Sequence, residues 1–156
     1  MWSQTRKPQQ PVVAARHLLS SVFSWLVILS FSPFSWAETD LNIAILHAHT
    51  PEELSGILDE AESWANQRDN YPEQPIAIIL HGDEAKPFIK QNYKMYSKLV
   101  DKAAKLDAFN VVDIKICETW MGFNGVKRDQ LPPFIDTVPF GPAEESKLLD
   151  AGYQSF

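Results

Sequence analysis

Ile76-Ala77-Ile78-Ile79-Leu80 is an uninterrupted apolar run between the loop Asn70-Tyr71-Pro72-Glu73-Gln74-Pro75 and the pair His81-Gly82. A run of this length with no polar alternation fits a strand covered on both faces. Similar runs recur at Leu41-Asn42-Ile43-Ala44-Ile45-Leu46, at Val111-Val112-Asp113-Ile114-Lys115-Ile116 and from Phe134 to Val138. Helical patterns separate them. Thr50-Pro51-Glu52-Glu53 sets a Thr N-cap, a Pro at the first helical position and a Glu at the third, the arrangement of a capping box. It opens a helix through about Asn66 with Leu54, Ile57, Leu58, Ala61 and Ala65 on one stripe. A second helical region runs from about Glu84 to Leu106, broken near Pro87 to Asn92, and a last helix runs from about Ala143 to Leu149, closed by Gly152. Strands alternating with helices predict an α/β fold, a parallel sheet with helices on both faces.

The first 37 residues belong to a different kind of segment. Arg6, Lys7 and Arg16 form a basic start, Leu18 to Phe34 is apolar or small and uncharged, and Pro33 breaks any helix before Ser35-Trp36-Ala37. This pattern reads as a secretory signal peptide over residues 1–37, cleaved after Ala37, with a domain at 38–156 that is periplasmic or secreted. An uncleaved anchor is the rival reading, because the uncharged stretch approaches bilayer-spanning length. Removing Arg6, Lys7 and Arg16 from 14 basic residues leaves 11 against 20 acidic ones, a formal charge of −9. Such a balance argues against nucleic acid or anionic lipid as a partner.

Cys117 is the single cysteine, standing where the third apolar run gives way to Glu118-Thr119-Trp120. It can form no internal disulfide, so two readings stay open: a reactive thiol or a small buried apolar residue. His47 and His49 follow the first run and His81 follows the second. In a parallel sheet these positions share the C-terminal rim, where open α/β folds bind ligands. Imidazoles beside a thiolate suit zinc or copper, or they serve as base and hydrogen-bond donors that favour the thiolate. His47 and His49 share a face if the first strand continues that far. The row Lys86, Lys90, Lys94, Lys98, Lys102, one lysine every fourth residue, reads as the solvated face of an amphipathic helix.

The segments Ile78-Ile79-Leu80-His81-Gly82, Ile116-Cys117-Glu118-Thr119, Val138-Pro139-Phe140-Gly141 and Leu149-Asp150-Ala151-Gly152-Tyr153 resemble, in order and spacing, the signatures of DsrE/DsrF-like proteins. The likeness runs from about Leu41 to Gln154. It implies a three-layer α/β/α sandwich with a five-stranded parallel sheet and a homo-oligomer, trimer or hexamer. It also implies a sulfur carrier that holds a persulfide on Cys117 and exchanges sulfur with a donor or acceptor protein, with no cofactor. His81 then stands as the neighbouring hydrogen-bonding or basic group. Trp120, Phe123 and Phe140 are candidate aromatics for the contact between copies. Two other roles compete with the carrier: a binding protein using the histidine-rich rim for a metal or small anion, and a structural oligomer with Cys117 buried.

Overall fold

In a computed structural model the described residues are 41–156; the leader expected at 1–37 lies outside them. Five parallel strands form one sheet: β1 (Asn42–Ala44), β2 (Ile76–Leu80), β3 (Val112–Cys117), β4 (Asp136–Val138) and β5 (Gln154–Ser155), in the order β4-β3-β2-β1-β5. The register sets Ile78 opposite Ile114, Leu80 opposite Ile116 and Cys117 opposite Val138. The C-terminal ends of β2, β3 and β4 therefore lie along one rim, as the sequence implies.

Helices cover the two faces unequally. Ile76, Ile78 and Leu80 of β2 and Val112, Ile114 and Ile116 of β3 point into a large cluster with α1 (Pro51–Asn66) and α2 (Tyr93–Ala108), which contribute Leu54, Leu58, Ala61, Val100, Ala103 and Leu106. The alternate residues Ala77 and Ile79 join Ile43 and Val138 in a smaller cluster, closed by Leu148 of α4 (Gly141–Asp150). All five residues of β2 are buried, which explains its lack of polar alternation. Two helical layers on one sheet make the three-layer sandwich.

Details depart from the expected pattern for local reasons. Pro87 and the extended Ile89 divide the second helical region into 3-10 turns at Asp83–Phe88 and Lys90–Asn92 before α2 begins. Lys86 and Lys90 thus leave the helical lysine row. Lys102 is drawn to Asp59 and Glu62 of α1, and Lys105 pairs with Glu62 at 2.9 Å, so part of that row joins two helices. Between β3 and β4, where the apolar pattern marks no element, residues 118–124 fold into α3 (Glu118–Asn124), ended by Gly125 at φ 65°. Trp120 of α3 is buried in the large cluster, which removes it from the aromatics expected on the surface; Phe123 and Phe140 are exposed. Among the described residues no helix is long and apolar enough to cross a membrane.

Ile78 is fully buried at the centre of the sheet beneath α1 and α2. Ile78→Ala should cost about 2–5 kcal/mol of stability, because the packed helices cannot fully close on the lost volume. Urea unfolding followed by circular dichroism measures this, and an unmoved midpoint would contradict the packing described.

Candidate functional site

Two carboxylates shape the rim. Beyond Ala44 the first strand stops, and the backbone of the following turn wraps round the side chain of Glu53, at the third position of α1. The amides of His47, Ala48 and His49 donate to its two oxygens at 2.8, 2.9 and 2.8 Å. Thr50 Oγ1 caps the helix by accepting from the Glu53 amide at 3.2 Å. The capping residues thus behave as expected at Thr50, while the glutamate reaches past the cap to amides farther upstream. His49 closes this turn at φ 52°, a left-handed conformation uncommon for a side chain of its size.

Glu84 ties that turn to the end of β2. Its side chain is fully buried, and Oε1 accepts the amides of His81 at 2.7 Å and Gly82 at 2.8 Å, with His49 Nδ1 at 3.3 Å. The Glu84 amide in turn donates to the His49 carbonyl at 3.2 Å. Oε2 has no hydrogen-bond partner. Gly82 is required at this crossing: a Cβ there would lie 2.6 Å from both Glu84 Oε2 and His49 Cβ. The clip brings the His49 and His81 rings to 4.4 Å between centroids.

Cys117 ends β3 and is the residue before α3. Its side chain is 2% exposed, so the accessible thiol that the carrier reading expects is covered in this conformation. The amide of Gly141, the first residue of α4, donates to Cys117 Sγ at 3.2 Å. A backbone N–H at a helix start stabilises a sulfur anion over the neutral thiol. Gly141 also lies against the imidazole of His81, since a Cβ on it would stand 3.0 Å from His81 Cβ and Cδ2. His81 Nε2 is 3.3 Å from Oε1 of Glu145, one turn further along α4. Glu118, adjacent in sequence to the cysteine, accepts from the Thr137 hydroxyl at 2.8 Å.

His81 and His49 are therefore brought together, and Gly141 stands between His81 and the thiol. His47 is not part of the group. The strand does not continue to it, so the shared face with His49 is lost, and its side chain is exposed. Among the described residues no three His, Cys, Asp or Glu side chains are arranged to hold a metal ion. The ring partners are the carboxylates Glu84 and Glu145, which disfavour an anion at the histidines. Sequence reasoning missed both glutamates. Glu84 looks like an acid in the first turn of a helix, and only the spacing His81-Gly82-Asp83-Glu84 hints at a side chain folding back on its own turn.

Burial raises the Glu53 carboxyl, but the three amides outweigh it and hold it below the ordinary 4.5. A carboxyl depressed in the folded state adds stability that is complete above its unfolded value and lost as pH falls through its folded value. Glu53→Gln should therefore lower stability near neutral pH by about 1 kcal/mol, given the partial exposure of these bonds. The difference from the wild type should shrink below about pH 4. Thermal melts across pH measure it; a gap that stays constant into acid would show that the charge of Glu53 is not what organises the turn.

No family model matches the chain, and no curated protein is similar to it. Among solved structures it is similar to a protein of unknown function, MTH1491 from Methanobacterium thermoautotrophicum, with a TM-score of 0.55 at 11% identity, over 74% of this chain and 93% of that one. At that identity the likeness concerns the fold alone: an α/β domain with a parallel sheet between helices.

Proposed function

We propose that this chain is a thiol-based sulfur carrier that holds a sulfane sulfur as a persulfide on Cys117. The observation that carries the reading is the amide of Gly141 aimed at Cys117 Sγ from the first turn of α4. A structural cysteine needs no such donor. A sulfur that spends time as an anion, thiolate or persulfide, gains from one. His81, packed against the same glycine, is the group placed to share in proton exchange near the sulfur. The sequence resemblance to DsrE/DsrF-like proteins supports the same chemistry. Export to the periplasm or outside the cell, and assembly through a surface that includes Phe123 and Phe140, complete the proposal.

Loading needs no outside oxidant when the donor already holds sulfane sulfur, as a polysulfide does. The Cys117 thiolate attacks a terminal sulfur, the Sγ–S bond forms and an S–S bond of the donor breaks. The shortened polysulfide departs with the electron pair. Because Sγ is covered, the first turn of α4 must move aside for this attack.

Native protein incubated with polysulfide should gain a single sulfur atom per chain by intact mass, and reductant should remove it. Cys117→Ser should fold, with an unchanged circular dichroism spectrum, and gain nothing. Wild-type protein that takes up no sulfur, and reacts with an alkylating reagent only after unfolding, would refute the carrier reading and leave Cys117 as a packing residue.

A further inference from the structure

Among the helices that start on this rim, α1 is fixed to the sheet by Leu54, Leu58 and Ala61, all fully buried. Helix α4 is held far more lightly. Gly141 is its single buried residue, and Leu148, half-buried, is its packing contact with the smaller core. Yet this helix carries the amide that meets Cys117. Something polar must supply the docking that apolar area does not. Glu145 occupies the right place. It lies four residues after Gly141 on the same face of the helix, its Oε1 is buried without a hydrogen bond, and it stands 3.3 Å from His81 Nε2. The same imidazole packs against Gly141.

We propose that Glu145 is a positioning residue for Cys117: acting through His81, it keeps the first turn of α4 docked so that the Gly141 amide stays on the sulfur. The proposal rests on the thiol reading above but concerns how the thiol is controlled, not what it carries. Drawing Nε2 and Oε1 from 3.3 Å into a full hydrogen bond tightens the turn, while losing the pair loosens it. Two effects on the sulfur follow from loosening. Sγ becomes accessible, and its anion loses an amide donor. The other charged groups around this contact have partners of their own. Glu84 is occupied by the amides of His81 and Gly82, His49 approaches Glu84, Glu118 is held by Thr137, Glu144 pairs with Lys147, and Lys115 pairs with Asp113. Thr119 fixes the Pro139 carbonyl at 2.9 Å, so the segment before Gly141 stays tethered when Glu145 is changed.

The test is the rate of Cys117 alkylation in native buffer as a function of pH, on the full chain and on Glu145→Ala, Glu145→Gln and Lys147→Ala. Lys147 is exposed on the same helix and contacts Glu144, which makes it the control. Glu145→Ala should raise the plateau rate at least several-fold, as the cover loosens. It should also move the pH dependence upward by about one unit, as the sulfur anion loses one donor. Glu145→Gln should fall between, and Lys147→Ala should match the wild type. A melting temperature is measured for each protein. Glu145 variants that lose stability but keep the wild-type rate and pH dependence would assign the residue a merely structural role and overturn the proposal. So would variants whose cysteine stays as unreactive as an unlabelled wild type. Sulfur uptake is scored separately by mass. Shifted alkylation without sulfur uptake keeps this inference and rejects the carrier reading, and uptake with unshifted alkylation does the reverse.

Discussion

The rim depends on one buried carboxylate. Glu84 is fully buried, and taking an unpaired carboxylate out of water costs on the order of several kcal/mol. Two amides from the end of β2 converge on Oε1 and offset that cost, and the Glu84 backbone amide returns a bond to the turn after β1. The loops leaving two neighbouring strands are thus clipped to a single side chain. Glu53 holds the turn that carries His49 in its left-handed conformation, and the Glu84 clip joins that turn to the end of β2, where the His49 ring meets His81. The position of His81 then sets where α4 can land, because Gly141 rests on its ring.

The unequal sandwich gives this chain of contacts its character. One face of the sheet carries nearly all the apolar packing, with α1 and α2 joined by the Lys102 and Lys105 pairs to Glu62, whose carboxyl those lysines, Lys105 first, hold below the usual range. The opposite face offers Ile43, Ala77, Ile79 and Val138 to one helix, while Asp113 and Lys115 of β3 sit half-exposed and paired with each other at 2.8 Å. The bond to Asp113 keeps the Lys115 ammonium above its ordinary range and outweighs burial, which lowers its affinity for a proton. A thiol between a rigid layer and a lightly held one can be closed off at rest and still be reached when a single helix turn shifts.

How much of this the sequence discloses follows from what each feature is made of. The strand Ile76–Leu80, the Thr50 cap and the break at Pro87 rest on local chemistry, and all stand where the pattern of residues puts them. The rim position of Cys117 is legible for the same reason: an apolar run ends there. Strand β5 is nearly silent, because Gln154 and Ser155 are exposed and carry no apolar alternation. The tail becomes a strand only through backbone bonds from Gln154 to Leu41 and from Phe156 to Ile43. The site glutamates are silent too. An acid in a charged run looks solvated until tertiary structure folds amides around it, and Glu145 gains meaning only because α4 crosses the end of β2. His47 misled through the same blind spot, since its value depended on where β1 stopped.

Strand β5 has one more consequence. By lying alongside β1 it occupies the backbone carbonyls of Leu41 and Ile43, and Phe156 beyond it stacks edge-on against Trp64 of α1 at 5.9 Å between ring centroids. Were those few residues missing, β1 would become the open margin of an apolar sheet, a surface on which another chain could add its own strand. Two small polar residues with almost no buried area of their own therefore act as a guard against aggregation, and their worth would be read in solubility sooner than in melting temperature.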